Sequence, residues 1–436
     1  MIFRMSRDTQ MTPELLAKYI QKAKNANAKR FDELARAYRC DYKILKKKKN
    51  PAWKPDNRIA VNYAKYIVDT FNGFFIGNPV KTSCDEQDVA QACEYIEKSN
   101  DQDDNNAELA KLMSIYGRGY EMYFVDENKQ LGITYVSPRE SFMIYDEGIV
   151  EEPLYFVHWY INQDNVEMGS YSDAQYVYNF ERRGGTYIMT GEPIAHGFDG
   201  VPAAEFIEND ERMGIFESVM TLIDAYNKAI SEKANDVDYF ADAYLKVLGV
   251  KMDEEDLGDL RNQRIINLEG AMDNIPVVDF MEKPNADTTQ ENLLSTLERL
   301  IYQIAMVPNI NDQSFGTSSG IAMQYKLLNT SNMFKTKQRK FESGMNRRWR
   351  LIFSHQLMVP WKVKEDDWTK LRYRFTPNIP ANVLEEAQTA AQLSGIVSKR
   401  TQLETLSVVD NVESEMRRIE EENQPVDLLN FNAHAE

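Results

Sequence analysis

Two acidic groups come nearest to metal-ion chemistry: Asp85, Glu86 and Asp88, then Asp101, Asp103 and Asp104. Carboxylates gathered this way could serve a metal-dependent nuclease. Their spacing lacks the glycine and the closing glutamate of a calcium loop, so a solvated surface is the better reading. No Gly-x-x-x-x-Gly-Lys-Ser/Thr stretch occurs, which excludes a P-loop motor. None of the 4 histidines falls in a triad or a metal set. His158 lies in an alternating, strand-like run with no partner at ligand spacing and is read as structural. Cys40, Cys84 and Cys93 have no metal spacing and cannot all pair, which fits a reducing compartment. The expectation is a non-enzyme with no catalytic residue, no metal and no cofactor.

The remaining chemistry is that of surfaces. Asn309, Asn311, Asp312, Gln313, Ser314, Phe315, Gly316, Thr317, Ser318, Ser319 and Gly320 make a polar stretch with two glycines, which is loop composition. Before it, Thr289–Met306 is expected to be helical. Leu293, Leu297, Leu300, Ile301 and Ile304 form its apolar stripe, and Pro308 ends it. After it, Ser318 or Ser319 can cap a helix from Ile321 to about Met358, roughly 55 Å long at ~1.5 Å per residue. Lys326, Lys335, Lys337, Arg339, Lys340, Arg347, Arg348 and Arg350 stand there against Glu342 alone, in a chain of net charge −17. That run is either a solvated face or a surface that meets polyanion or an acidic neighbour.

The elements that must position these residues follow the sequence. With 436 residues there is room for two or three domains, and the acidic balance argues against a general nucleic-acid coat. The 23 tyrosines suggest large contact surfaces. No apolar run approaches the ~20 residues of a membrane span, and the N-terminus lacks a signal-peptide core. Pro13 to about Lys49 reads as one or two helices, with Lys46–Lys49 as an exposed loop. Tyr63, Tyr66, Ile67, Thr70, Phe71, Phe74 and Phe75 mark an aromatic-faced helix stopped at Gly77-Asn78-Pro79. Ala107–Tyr116 is helical. Strands are expected at 121–125, 132–138, 141–145, 154–161, 174–180 and 186–189, an antiparallel meander after helices. Ile215 to about Leu248 reads as one long helix with an apolar stripe from Phe216 to Leu245 and an acidic side. Residues 249–287 read as a small α+β insertion with strands at 264–268 and 277–281. Lys370–Phe375 is strand-like, and 382–394, 398–405 and 412–423 are short helices.

This order resembles the portal proteins of tailed bacteriophages, of the type found in siphophages of Gram-positive hosts. The stretches that carry the resemblance are Asn57–Thr70, Phe75–Pro79, Ile223–Tyr226 with Asp238–Leu245, Leu300–Asn309, Phe315–Lys326 and Leu384–Thr389. The resemblance implies an α+β portal fold assembled as a ring, a dodecamer in the family. The wing would be 1–212, the stem helices 213–248 and 289–308, the clip 249–288 and the tunnel loop 309–320. Residues 321–378 would supply the long helix and a wing strand, and 379–436 a short helical crown and tail. Such a ring forms the channel for packaging and ejecting double-stranded DNA, which passes without sequence preference. It sits at the head–tail vertex of the virion after assembly in the host bacterial cytoplasm. Its partners would be a terminase, major capsid and scaffolding proteins and a head–tail adaptor, with no membrane. Glu232, Asp236, Asp238 and Asp242 are the acidic channel-lining candidates, since an acidic wall repels phosphate over about 8 Å at physiological salt. Lys335, Lys337, Arg339, Lys340, Arg347 and Arg348 would pair with acidic neighbours or touch DNA locally. The alternatives are a head scaffold or adaptor that never meets DNA, and the metal-dependent nuclease.

Overall fold

The computed structural model describes residues 2–51, 55–241, 245–248, 277–280, 287–309, 325–379, 383–406, 408–409 and 412–423. They fall into two units, Met1–Pro377 and Asn378–Glu436.

In the first unit a strand β1 (Phe3–Arg4) precedes helix α1 (Pro13–Tyr38). Thr12 caps α1 by accepting the Leu15 N–H, and Pro13 occupies the first turn, where a missing donor costs nothing. The N-terminal half of α1 lays Leu16, Tyr19, Ile20 and Ala23 on a sheet, and Phe31 and Leu34 reach the main core. That sheet has the order β1-β5-β6-β7-β8-β9, with β5 Ser141–Tyr145, β6 Pro153–Ile161, β7 Glu167–Ser172, β8 Tyr176–Arg183 and β9 Thr186–Ala195. The expected meander is therefore split. Strands β3 (Arg118–Val125) and β4 (Leu131–Val136) pair in a second sheet with β10 (Ala203–Ile207). β1 joins the larger sheet parallel to β5. β7 is an addition to the sequence expectation. Its Met-Gly-Ser-Tyr-Ser core carries little apolar alternation, and it is held by register between β6 and β8. Gly169 is required there, because a Cβ would sit 2.2 Å from the His158 carbonyl oxygen.

Helix α2 (Tyr63–Ile76) carries the expected aromatic face into the main core. Phe75 is wholly buried and packs its ring against Phe71, Phe334, Phe341 and Phe375 at centroid distances of 5.5–6.3 Å. A short strand β2 (Lys81–Ser83) pairs with Arg372–Arg374, and α3 (Gln87–Ser99) and α4 (Gln102–Tyr116) follow β2. The latter starts five residues before its expected beginning.

The expected helix Ile215–Leu248 is corrected. It opens with a 3-10 turn at Glu217–Val219 and runs as α5 (Met220–Ala241). Leu245–Leu248 is instead a strand, β11, antiparallel to β12 (Val277–Phe280). Leu245-Lys-Val-Leu248 fits either state, and pairing with Val277–Phe280 decides it. The other expected strand of this insertion, 264–268, lies outside the described residues. Helix α6 (Asp287–Ala305) buries Leu294, Leu297, Ile301 and Ala305, whereas Leu293 and Ile304 of the expected stripe are exposed. The helix is thus rotated from the expected face. Helix α7 (Leu328–Ser354), roughly 40 Å at 1.5 Å per residue, ends before the expected Met358, and residues 321–324 of the expected helix lie outside the described residues. His355 turns extended, and a 3-10 segment with Pro360 inside it takes over from Gln356. Gly344 lets α7 approach β10, since a Cβ would meet the Phe206 ring at 2.5 Å. Arg372–Arg374 is strand β13.

The end of α7 is tied to the β9–β10 connection by two histidines. His196 Nδ1 accepts the Phe198 N–H and His355 Nδ1 accepts the Leu357 N–H, both at 3.1 Å. The other nitrogen of His196 meets the Asp173 carbonyl at 3.2 Å, and His355 also hydrogen-bonds the backbone of His196. Protonating either Nδ1 breaks a backbone hydrogen bond. Burial lowers both groups below their ordinary value of 6.5. With folded values below unfolded ones, their contribution is complete above about pH 6.5 and is lost as pH falls. The urea midpoint is expected to fall between pH 7 and pH 5, and the His196→Gln/His355→Gln double variant to flatten that slope.

In the second unit, α8 (Val383–Gln392), α9 (Lys399–Glu404) and α10 (Val412–Asn423) lie where the three short helices were expected. Ser398 caps α9, and Ala390 of α8, Leu403 of α9 and Val412 of α10 are buried.

Candidate functional site

The acidic side of α5 is met by the basic segment before α2, which begins with a 3-10 turn at Lys43–Lys46. Lys43 reaches Asp224 at 2.8 Å and Lys47 reaches Glu232 at 3.0 Å. Lys46 turns back to Asp41. The lysine run expected to be a free loop is thus partly docked on the helix. Asp236 accepts from the Gln290 amide of α6 at 2.7 Å, and Asp238 accepts from the Asn57 amide. Lys233 of α5 also pairs with Glu291 of α6. Asp242 lies outside the described residues. Ion pairing removes the long-range repulsion that Asp224 and Glu232 would exert on phosphate, while the Asn57 amide leaves the Asp238 carboxylate charge in place.

Of the polar loop, Asn309 is described, and its amide donates to Glu298 Oε1 at 3.3 Å. Asn311, Asp312, Gln313, Ser314, Phe315, Gly316, Thr317, Ser318, Ser319 and Gly320 lie outside the described residues. The chain leaves α6 through Met306, a non-glycine residue at φ +56° whose carbonyl accepts the Thr330 hydroxyl at 2.7 Å.

The basic residues of α7 do not form one face, which corrects the expectation of a shared basic surface. Lys335 and Arg339 are exposed, and Lys340 pairs with Asp210. Arg347 donates to the carbonyls of Ala203 and Val201 at 2.9 and 3.1 Å. Lys337 and Arg348 point into the core, with side chains 0 % exposed. With Phe341 and Met345 they lie along one buried side of the helix.

Lys337 Nζ contacts Glu208 Oε2 at 2.7 Å and donates to the Ser114 hydroxyl and the Ala110 carbonyl. It also sits over the Phe71 and Phe75 rings. Burial pushes the lysine down and Glu208 up, each against the pull of the other. Arg348 makes a two-point ion pair. Its Nε and Nη2 grip the two oxygens of Glu121 at 2.7 and 2.9 Å, and Nη2 also reaches Asn106 at 2.7 Å. Glu121 additionally accepts from Gln102 and Tyr123. A third anchor is Glu205 on β10, which accepts from Arg212, Arg118, Tyr145 and Tyr120. Burial pushes Glu205 up, but the Arg212 hydrogen bonds and the two guanidinium charges outweigh it and hold the carboxyl below its usual range.

Sequence reasoning missed Glu121, Glu205 and Glu208 as anchors. The available signal was an acid placed inside an apolar strand, Glu121-Met-Tyr-Phe-Val and Ala-Ala-Glu205-Phe, where no solvent face justifies it. The acids at 85–88 meet cations after α7: Asp85 with Arg372, Glu86 with Lys370 and Asp88 with Lys362. Among the described residues no group of three or more His, Cys, Asp or Glu is placed to hold a metal, and no helix is long and apolar enough to cross a membrane.

A family profile described as "Phage portal protein, SPP1 Gp6-like" matches residues 17–427. The portal protein of Bacillus phage SPP1 is 26 % identical over 430 residues, covering 89 % of this chain and 82 % of that protein. The portal protein of Clostridium phage phiCD119 is 24 % identical over 397 residues, covering 85 % and 86 %. A solved chain from the neck of an empty GTA particle aligns at 12 % identity and a TM-score of 0.48, covering 78 % of this chain and 88 % of that one.

Proposed function

Because the chain belongs to the SPP1 Gp6-like family of phage portal proteins, we propose that it closes with copies of itself into a ring through which double-stranded DNA enters and leaves the phage head. The ring is a dodecamer at the head–tail vertex. It docks a terminase during packaging and a head–tail adaptor afterwards, with capsid and scaffolding proteins around it, and it forms in the host bacterial cytoplasm. A ring needs a heterologous interface whose rotation closes.

The observation that carries this reading is the family match along nearly the whole chain. The paired helices α5 and α6, roughly 33 and 28 Å long, support their assignment as the channel wall. Val237, Leu293 and Ile304 on them are exposed in the single chain and suit burial between copies. Asp238 supplies negative charge to the wall. Residues 309–320 form the tunnel loop, offering short polar groups to passing DNA. Lys335 and Arg339 face outward for an acidic neighbour or a phosphate, a role that Lys337 and Arg348 surrender to the core.

The test is in the loop. Replacing Ser314, Thr317, Ser318 and Ser319 together by aspartate is expected to cut nuclease-protected DNA in assembled particles by about tenfold, through added repulsion of phosphate. Unchanged DNA content would favour a scaffold or adaptor that never meets DNA.

A further inference from the structure

The buried side of α5 beyond Ile223 is polar. Asn227, Ser231 and Asn235, four residues apart, are at most 2 % exposed, while Val237 is left outside. Each side chain takes one backbone donor from residues 57–61. The Asn57 N–H donates to Asn235 Oδ1 at 2.6 Å, the Ile59 N–H to Ser231 Oγ at 2.9 Å and the Val61 N–H to Asn227 Oδ1 at 2.8 Å. The Ser231 hydroxyl in turn donates to the Asn227 carbonyl at 2.7 Å.

The geometry repeats because two periods nearly agree. Two residues of extended chain advance roughly 6.7 Å. Four residues of helix advance about 6.0 Å. Three rungs therefore drift apart by little more than an ångström, within the reach of a side chain. The segment continues into Asn62, which caps α2 by accepting the Lys65 N–H and donates its amide to the Tyr38 carbonyl. The rungs thus join α5 to α1 and α2.

We propose that residues 57–61 are a strap that fixes the position of α5 along its own axis, and that Asn227, Ser231 and Asn235 are positioning residues for the channel wall. The inference rests on the portal reading of α5 and α6. An apolar contact is non-directional and tolerates sliding. A hydrogen bond weakens steeply with misalignment, so discrete rungs define a register. A push along α5 from moving DNA loads the three rungs together. The rung donors are main-chain groups, so the rungs themselves do not depend on the identity of the strap's side chains. Arg58 and Ala60, whose N–H groups make none of the three rungs, provide the control positions.

The experiment compares full-length Ile59→Pro, Ala60→Pro, Ser231→Ala and Ser231→Thr chains in phage particles whose own copy has been removed. The readouts are assembly mass, nuclease-protected DNA and residue-resolved amide exchange. Ile59→Pro and Ser231→Ala are expected to keep the assembly mass, speed exchange at the remaining rungs about tenfold and lower protected DNA about tenfold. Ala60→Pro and Ser231→Thr, which keep the donors and acceptors of all three rungs, are expected to match the wild type. Overturning results are equal behaviour of Ile59→Pro and Ala60→Pro, or wild-type DNA content in Ile59→Pro particles with fast-exchanging rungs. If the wild-type chain restores no packaging, the portal reading falls. The exchange pattern then decides the strap by itself: protection at 57, 59 and 61 but not at 58 and 60 upholds it, and uniform exchange refutes it.

Discussion

Arg348→Met is expected to lower the unfolding free energy by about 3–5 kcal/mol, because it strands a fully buried carboxylate. Glu121 then keeps Gln102 and Tyr123 as neutral donors but loses both guanidinium bonds. The loss measures a stranded charge and not the net worth of the pair. Two buried ions are costly to desolvate, and a pair replaced by apolar groups of similar volume is often neutral or stabilising. The Glu121→Leu/Arg348→Met double variant is therefore expected to recover most of the loss. Its coupling is read from a double-mutant cycle in urea. An additive cycle would show that Glu121 and Arg348 do not act as a pair.

Phe75→Ala is expected to cost about 3–5 kcal/mol by lost burial and the cavity left behind. The site cannot collapse easily, since its walls are rings from α2, from two positions of α7 and from the segment after β13. The deletion also removes a ring from beneath Lys337, whose ammonium lies 5.1 Å from the Phe75 centroid. Phe75→Leu retains most of the volume and is expected to cost less than half as much. Equal losses for alanine and leucine would point to the ring–cation contact, not the volume, as the dominant effect.

The sequence made the apolar elements legible where one face is buried at a constant period. The aromatic side of Tyr63–Ile76 and the apolar strands of the meander are of this kind. It misled where burial is polar or the period is shared between states. The α5 stripe continues inward as Asn227, Ser231 and Asn235, which no hydrophobic count detects. Leu245–Leu248 extends a helical pattern but pairs as a strand, because a partner at Val277–Phe280 exists. Leu293 and Leu294 are adjacent leucines, so a small helix rotation exchanges which one is buried. The basic run of α7 is the clearest case. Charge counting along a sequence treats its seven cations alike, whereas the fold spends Lys337 and Arg348 on buried acids far away in the chain. Those acids sit in or beside strands, and their meaning depends on contacts that sequence spacing does not encode.

The most direct test of the ring is the mass and symmetry of the purified full-length assembly, by native mass spectrometry with electron-microscope class averages. A single high multiple of the chain mass, with rotational symmetry and a central hole, is the expected result. A stable monomer or dimer at every salt concentration would contradict it.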